Sequence, residues 1–310
     1  NPDHQETIGQ FDCCLSSLFL NYSNQVYSPF DMLDFFYSKQ EENGAIRAQY
    51  SVADGSPIFT EDNPEGVVVP LFAYIEFMFY HKIGNKKRLK DIVPFLENYF
   101  NWLKATFQKE NGLFSVPISS CLTGNVPREN TVYPVDFNTL MALNALYMSN
   151  IGDILNDKEL SFRYKRLYFS LKTRINNLMW DPETNFYYDL DAQEQRIPLK
   201  IIGAYWTLLA EIPNDEKAAS MISGQYGIHN GIVGHGGTAA DMRLQGTTRS
   251  FTDDMSENGL FMQFRRAGMH TVSFSSFAER HSAWWFNSGF NECYNVGRRG
   301  GGWLEEHHNG

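Results

Sequence analysis

The sequence predicts an all-α fold, a toroid of helical hairpins with long loops at one mouth and room for one short β-hairpin. Three observations carry this. Apolar residues recur at helical spacing through most of the chain. Long connections rich in Gly, Pro, Asp and Asn follow every second helix, so they collect at one end of the array. No linker or shift in composition divides residues 1–310, which read as one domain.

The elements follow in order. A short apolar run covers 11–22. Pro29 opens a helix that reaches Gln40, with Phe30, Leu33 and Phe36 at helical spacing. A polar loop fills 41–64. An aromatic helix over 70–83 stops at Gly84 and Asn85. The next helix, 89–108, carries Ile92, Leu96, Tyr99, Leu103 and Phe107 on its apolar face. A second long loop spans 111–134, then come helices over 135–151 and 159–180. The run 180–191 alternates enough for a turn with a short hairpin. Helices over 199–210 and 215–223 precede a third long loop, 224–252. Two more, 254–268 and 270–286, bring the count to roughly ten. The glycine-rich stretch 287–302 then reads as a loop that brings backbone close to something.

Composition narrows the function. A net charge of −10 argues against nucleic acid, whose phosphates need clustered Lys and Arg. The basic group Lys86, Lys87, Arg88 and Lys90 reads as a solvated helix face. No apolar run reaches the roughly 18 residues of a membrane span, and the chain opens on polar residues rather than a signal pattern. Cys13, Cys14, Cys121 and Cys293 do not suggest a disulfide framework in a chain of 310 residues. No CxxC or HExxH spacing suggests a metal, and His307 and His308 read as a solvated tail, so no metal or cofactor is expected. With 24 Phe, 16 Tyr and 6 Trp, most rings must be core, and a few are free to stack on sugar rings. Trp206, Trp284 and Trp285 are the stacking candidates.

Several stretches resemble, in order along the chain, the clan of (α/α)6-barrel glycoside hydrolases that includes trehalases and bacterial α-glucosidase and mannosylglycerate hydrolase-like enzymes. They are QFDCCLSSLF at 10–19, FYSKQEENGAI at 36–46, PVDFNTLMALNALYM at 134–148, LMWDPETNFYYDLD at 178–191 and GFNECYN at 289–295. The resemblance weakens between 223 and 286. It implies a small saccharide or glycoside as partner, and an inverting hydrolase for a small α-linked glucoside. Such enzymes use one carboxyl group as acid and another as base, about 6.5–9.5 Å apart, with a water between.

The resemblance places the base at Glu292. It places the acid in the loop 119–130, where alignment of Pro127 and Arg128 puts Gly124 at the acid position. Glycine has no proton to donate. Glu129, in the same loop, and Asp136, at the next helix start, are the substitutes, and Asp136 also reads as a structural charge at a helix N-terminus. Phe11 stands where the family has Trp, before a retained Asp12. That carboxylate reads either as a ligand for adjacent sugar hydroxyls or as an N-cap. Arg47 and Arg128 lie on mouth-side loops and read as ligands for hydroxyls or an acidic group, or as ion-pair partners. Gly124 also supports another reading, a non-catalytic or divergent sugar-binding protein on the same scaffold. A lyase using His229 and His235 fits poorly, because few mouth-side cations would meet a polyanionic substrate.

Overall fold

The computed structural model describes residues 6–20, 22, 28, 30–122, 127–223, 264–275 and 291–295. The chain forms two compact units, 1–212 and 213–310, although no compositional signal marks the boundary.

In the first unit, strand β1 (Thr7–Gly9) leads directly into helix α1 (Gln10–Leu20). Helix α2 (Asp31–Ser38) follows, then β2 (Gln49–Ser51), which pairs antiparallel with β1 inside the expected loop 41–64. Helices α3 (Phe72–Ile83), α4 (Lys86–Phe107), α5 (Val135–Leu155) and α6 (Lys158–Arg174) make up the rest of the helical body. Each junction has a local cause. Gly84 ends α3 in the left-handed conformation at φ 75°, and the Asn85 side chain then accepts from Arg88 N at 3.0 Å to cap α4. Asn156 takes φ 60° at the end of α5, and Asp157 caps α6 through Leu160 N. Connections this short make the helices antiparallel neighbours.

The odd helices α1, α3 and α5 pack on one another, and each even helix packs on its odd partner. The sequence explains the layering. Helix α5 is apolar nearly all round and is buried from Val135 to Ala145 without a break, as an interior helix must be. Helix α6 leaves Phe162 and Phe169 exposed on its outer side. Gly152 lets α6 approach α5, because a Cβ there would stand 2.6 Å from Ser161 N.

One turn is built twice. After α2, Gln40 Nε2 donates to Gly44 O, Asn43 Oδ1 accepts from Ala45 N, and Gly44 takes φ 93°. After α4, Gln108 Nε2 donates to Gly112 O, Asn111 Oδ1 accepts from Leu113 N, and Gly112 takes φ 80°. The two segments share the pattern Gln-x-Glu-Asn-Gly followed by two apolar residues.

A polar node ties three helices together. Tyr37 of α2 donates to Glu76 of α3 at 3.0 Å, and Arg88 of α4 grips Glu76 with Nε at 2.8 Å and Nη2 at 2.7 Å. Asp34 of α2 also pairs with Arg88 at 2.9 Å. Arg88 therefore departs from the solvated face expected of its basic cluster, because the buried Glu76 requires a cation.

Three further expectations are corrected. The segment 199–210 is not one helix. It holds a 3-10 turn, Ile202–Tyr205, and the one-turn helix α7 (Trp206–Leu209), in keeping with Pro198 just before it and Gly203 within it. In the second unit, helix α8 (Asp215–Ser223) is as expected, but the described part of the expected helix over 270–286 holds strand β5 (Val272–Ser275), and 276–286 lie outside the described residues. The expected loop around Glu292 holds strand β6 (Glu292–Asn295), parallel to β5 with Val272 opposite Glu292. Both strands alternate or carry β-formers, VSFS and ECYN, which a helical reading overlooks. The hairpin at 180–191 is present as β3 (Trp180–Asp181) against β4 (Phe186–Tyr187). No helix among the described residues is long and apolar enough to cross a membrane.

Two measurements test this fold. A Cβ at Gly44 would meet Asn98 O at 2.5 Å from a left-handed backbone, so Gly44→Ala lowers unfolding stability by about 1–3 kcal/mol in denaturant titration. Burial raises the Glu76 carboxyl above its ordinary 4.5, against the lowering pull of Arg88. The folded state then holds that proton at pH values where the unfolded chain has lost it. This group's contribution to stability falls as pH rises from 4.5 through the folded value. Glu76→Gln removes that slope from the difference between the two stability profiles.

Candidate functional site

The entry into α1 builds one wall of a cavity of about 260 Å³. Gly9 pairs with Gln49, and Gln10 N donates to Ala48 O at 2.7 Å, so the first turn of α1 is pinned beside β2. Gln10, Phe11 and Asp12 line that wall. Asp12 is the third residue of α1, inside its first turn, which sets aside the N-cap reading. Its carboxylate lies over Gly9, where a Cβ would stand 3.0 Å from Oδ2.

Asp62, Asn63 and Ser119 line the cavity as well. Asn63 is buried and fixed by its own loop, donating to Val67 O at 2.9 Å and accepting from Val67 N at 3.1 Å. Thr60 Oγ1 donates to Asp62 Oδ1 at 2.5 Å, and Ser119 Oγ donates to Asp62 O at 2.9 Å. The Thr60 hydroxyl holds the Asp62 carboxyl below the usual carboxylate range. Asp62 is thus an ionised acceptor near neutral pH. Two carboxylates, an amide and hydroxyls on one small cavity suit a polyhydroxylated ligand, because each sugar hydroxyl both donates and accepts. A larger open groove of about 760 Å³ runs along α6 past Phe162, Arg166 and Phe169, but no carboxylate lines it.

Arg128 lies in a different setting from a ligand-binding loop. Its Nε and Nη2 donate to Asp189 at 2.8 and 2.9 Å, while Nη1 and Nη2 donate to Asp136 at 3.0 and 2.9 Å. All three side chains are buried. Burial opposes the Arg128 charge, and the hydrogen bonds with Asp136 and Asp189 outweigh it, raising its pKa further. Asp136 Oδ2 also accepts from Leu122 N, and Oδ1 from Phe137 N. Asp189 accepts from Val135 N and Thr131 Oγ1. The carboxylate oxygens of Asp136 are filled by protein donors, so the structure corrects its candidacy as an acid and favours the structural charge. Arg47 is similarly committed. It is buried, pairs with Glu41 and Glu65, and lies over the Phe59 and Trp102 rings at 5.2 and 5.1 Å. Both arginines therefore serve as ion-pair partners.

Glu129 is exposed in the turn after Arg128, and Trp206 is half-buried at the start of α7. In the second unit, Glu292 opens β6, exposed, and its Oε1 lies 2.8 Å from Nε2 of His270. Thr271 orients the preceding residue, because Asn291 Oδ1 accepts from Thr271 N and Oγ1 at 3.0 and 2.9 Å. Gly124, Trp284, Trp285, His229 and His235 lie outside the described residues. Among those described, no three His, Cys, Asp or Glu side chains gather as a metal site would require.

Sequence reading passed over Gln10, Asp62, Ser119 and Asp189. Gln10 and Asp189 lie in the runs 10–19 and 178–191 that carry the resemblance, and Ser119 opens the loop 119–130, but none was singled out. The cavity residues come from separate segments, and no local pattern joins them.

The trehalase family model matches residues 120–236. An uncharacterized protein of Borreliella burgdorferi is 45% identical over 215 residues, covering 69% of this chain and 45% of that protein. A cytosolic neutral trehalase of Kluyveromyces lactis is 25% identical over 92 residues, covering 29% of this chain and 12% of the enzyme. The chain thus spans less than half the length of the curated relatives it matches. Among solved structures, a mannosylglycerate hydrolase of family 63 from Thermus thermophilus, in complex with glucose, superposes with a TM-score of 0.58 at 15% identity, covering 70% of this chain and 68% of that one. A rhamnosidase from Klebsiella oxytoca with rhamnose bound gives 0.55 at 13% identity, covering 86% and 47%. The fold is of the (α/α)6 type.

Replacing Arg128 tests the buried clamp. Arg128→Met leaves Asp136 and Asp189 buried without their cation and lowers stability by about 3–5 kcal/mol in denaturant titration. Adding Asp136→Asn and Asp189→Asn restores part of that loss. Unchanged stability with weakened sugar binding would instead make Arg128 a ligand residue.

Proposed function

We propose, from the premise that this chain belongs to the clan of (α/α)6-barrel glycoside hydrolases, that it provides the sugar site of a glycosidase acting with inversion on a small α-linked glucoside. The observation that carries the reading is the cavity at the start of α1. It brings Asp12, a motif position, together with Asp62, Asn63 and Ser119 in a volume of about 260 Å³. That lies just under the about 300–1,000 Å³ of drug-sized ligand pockets, which suits one sugar ring. The trehalase match and the glucose in the Thermus enzyme support a glucoside.

In this reading the carboxylates accept from adjacent sugar hydroxyls and hold the ring. The resemblance assigns the general base to Glu292 of the second unit, whose carboxylate lies within hydrogen-bond reach of His270. Glu129 is the acid, because it is the exposed carboxyl left in the loop whose expected acid position is Gly124. A second reading, sugar binding without turnover, is favoured by one observation. Gly124 carries no proton where the family's acid would stand.

Hydrolysis of 4-nitrophenyl α-D-glucoside and of trehalose, with product anomers followed by NMR, separates the two. Glu292→Gln lowers turnover about 10²–10⁴-fold while the melting temperature is unchanged. Full activity in that variant removes Glu292 from the reaction. If the wild type binds sugar without turnover and Gly124→Asp switches hydrolysis on, the second reading holds.

A further inference from the structure

Helix α6 carries an outer face that the packing of the fold does not account for. Its inner face lies against α5, with Leu160, Tyr164, Tyr168 and Leu171 buried. Phe162 and Phe169 stand on the other side, 64% and 51% exposed, seven residues or about 10 Å apart along the helix. Both line the open groove of about 760 Å³, together with Lys165, Arg166, Ser170 and Thr173. Cations crowd this helix. It holds six Lys or Arg and one acidic residue, Glu159, in a chain of net charge −10. Three of the six are committed to the protein: Arg163 to the Glu97 carboxylate, Lys172 to the Glu211 carbonyl and Arg174 to the Asn111 carbonyl. Lys165 and Arg166 are exposed, and neither has an ion pair among the described residues. Arg166 lies only over the Phe162 ring, at 6.0 Å.

We propose that this face of α6 is a docking surface for an acidic, amphipathic segment of a partner protein. Apolar side chains of the segment sit against Phe162 and Phe169, and its carboxylates pair with Lys165 and Arg166. Charge complementarity selects this occupant. Among the described residues no carboxylate lines the groove, so its cations are left for an anion from outside. Two exposed rings beside them ask for apolar side chains on the same segment. A second copy docked through the same face would set Lys165 and Arg166 against their own kind. A lipid or nucleic-acid surface presents a broad field of negative charge, which the −10 of the whole chain opposes. A short segment meets only the local cations, because salt at physiological strength confines charge effects to about 8 Å. The inference stands apart from the saccharide reading, since none of these residues lines the cavity at α1.

The test is fluorescence anisotropy of the full chain with a labelled peptide of three Glu-Leu-Phe-Glu repeats, and with the same peptide carrying Gln in place of Glu. The acidic peptide binds, and its Gln counterpart binds about tenfold more weakly or less. Lys165→Glu with Arg166→Glu weakens the acidic peptide about tenfold or more. Phe162→Ser with Phe169→Ser does the same, and both double variants keep the wild-type melting temperature because all four side chains are exposed. No binding of the acidic peptide, or equal binding by wild type and both variants, overturns the proposal. Binding to phosphatidylserine vesicles but not to the peptide, lost in the same variants, also overturns it, because the face then meets lipid. A dimer in sedimentation equilibrium that the Phe variant dissolves overturns it too, because a second copy then covers α6.

Discussion

One buried cation, Arg128, holds together separate parts of the first unit. Arg128 ties its own loop to the start of α5, eight residues on, through Asp136, and to the segment after β4, 61 residues on, through Asp189. Asp189 also accepts from Val135 N at the first turn of the same helix. A group of buried charges stays in place only when each has a partner, because the interior solvates none of them. The loop from 127 onward is therefore fixed against the innermost helix of the unit. Gly203 extends the arrangement, as its missing side chain lets the turn at Ile202–Tyr205 come up against Asp136.

The node around Glu76 solves the same problem between helices α2, α3 and α4. There a buried glutamate on α3 is satisfied by a tyrosine from α2 and an arginine from α4. The two nodes differ in what they can do. Glu76 belongs to three helices and sets their packing. The Arg128 clamp belongs to loops and helix starts, which are the parts of a helical hairpin protein where ligands are met. The cavity beside α1 is built in the same way, from a helix start, a strand edge and two loops.

Much of the fold was legible in the sequence because helical periodicity is a local signal. Helices α3 to α6 lie close to their expected bounds, and the Gly84-Asn85 junction does what its residue types imply. The strands β5 and β6 were not legible, since each is four residues long and their pairing joins segments about twenty residues apart. Asp12 and Phe11, singled out through motif position, line the cavity beside α1. Asp62, Ser119 and Gln10 were missed because a cavity wall is a property of tertiary structure. Arg47, Arg88 and Arg128 show the converse. Each looked like a surface or ligand-facing cation, and each proved to be matched to a carboxylate that only folding brings near. Whether an arginine serves the ligand or the protein depends on partners that the fold brings to it, here from 6 to 61 residues away.

The turn that appears after α2 and again after α4 bears on how such a chain assembles. Its internal hydrogen bonds, such as Gln40 to Gly44 and Gln108 to Gly112, join residues no more than four apart. Closing so short a segment takes about 10–100 ns, far less than docking one helix on another. Each outer helix can therefore end at a defined residue before its neighbours arrive. The search that remains is over helix pairs whose lengths are already set, and a ring of hairpins becomes a low-contact-order problem solved one pair at a time.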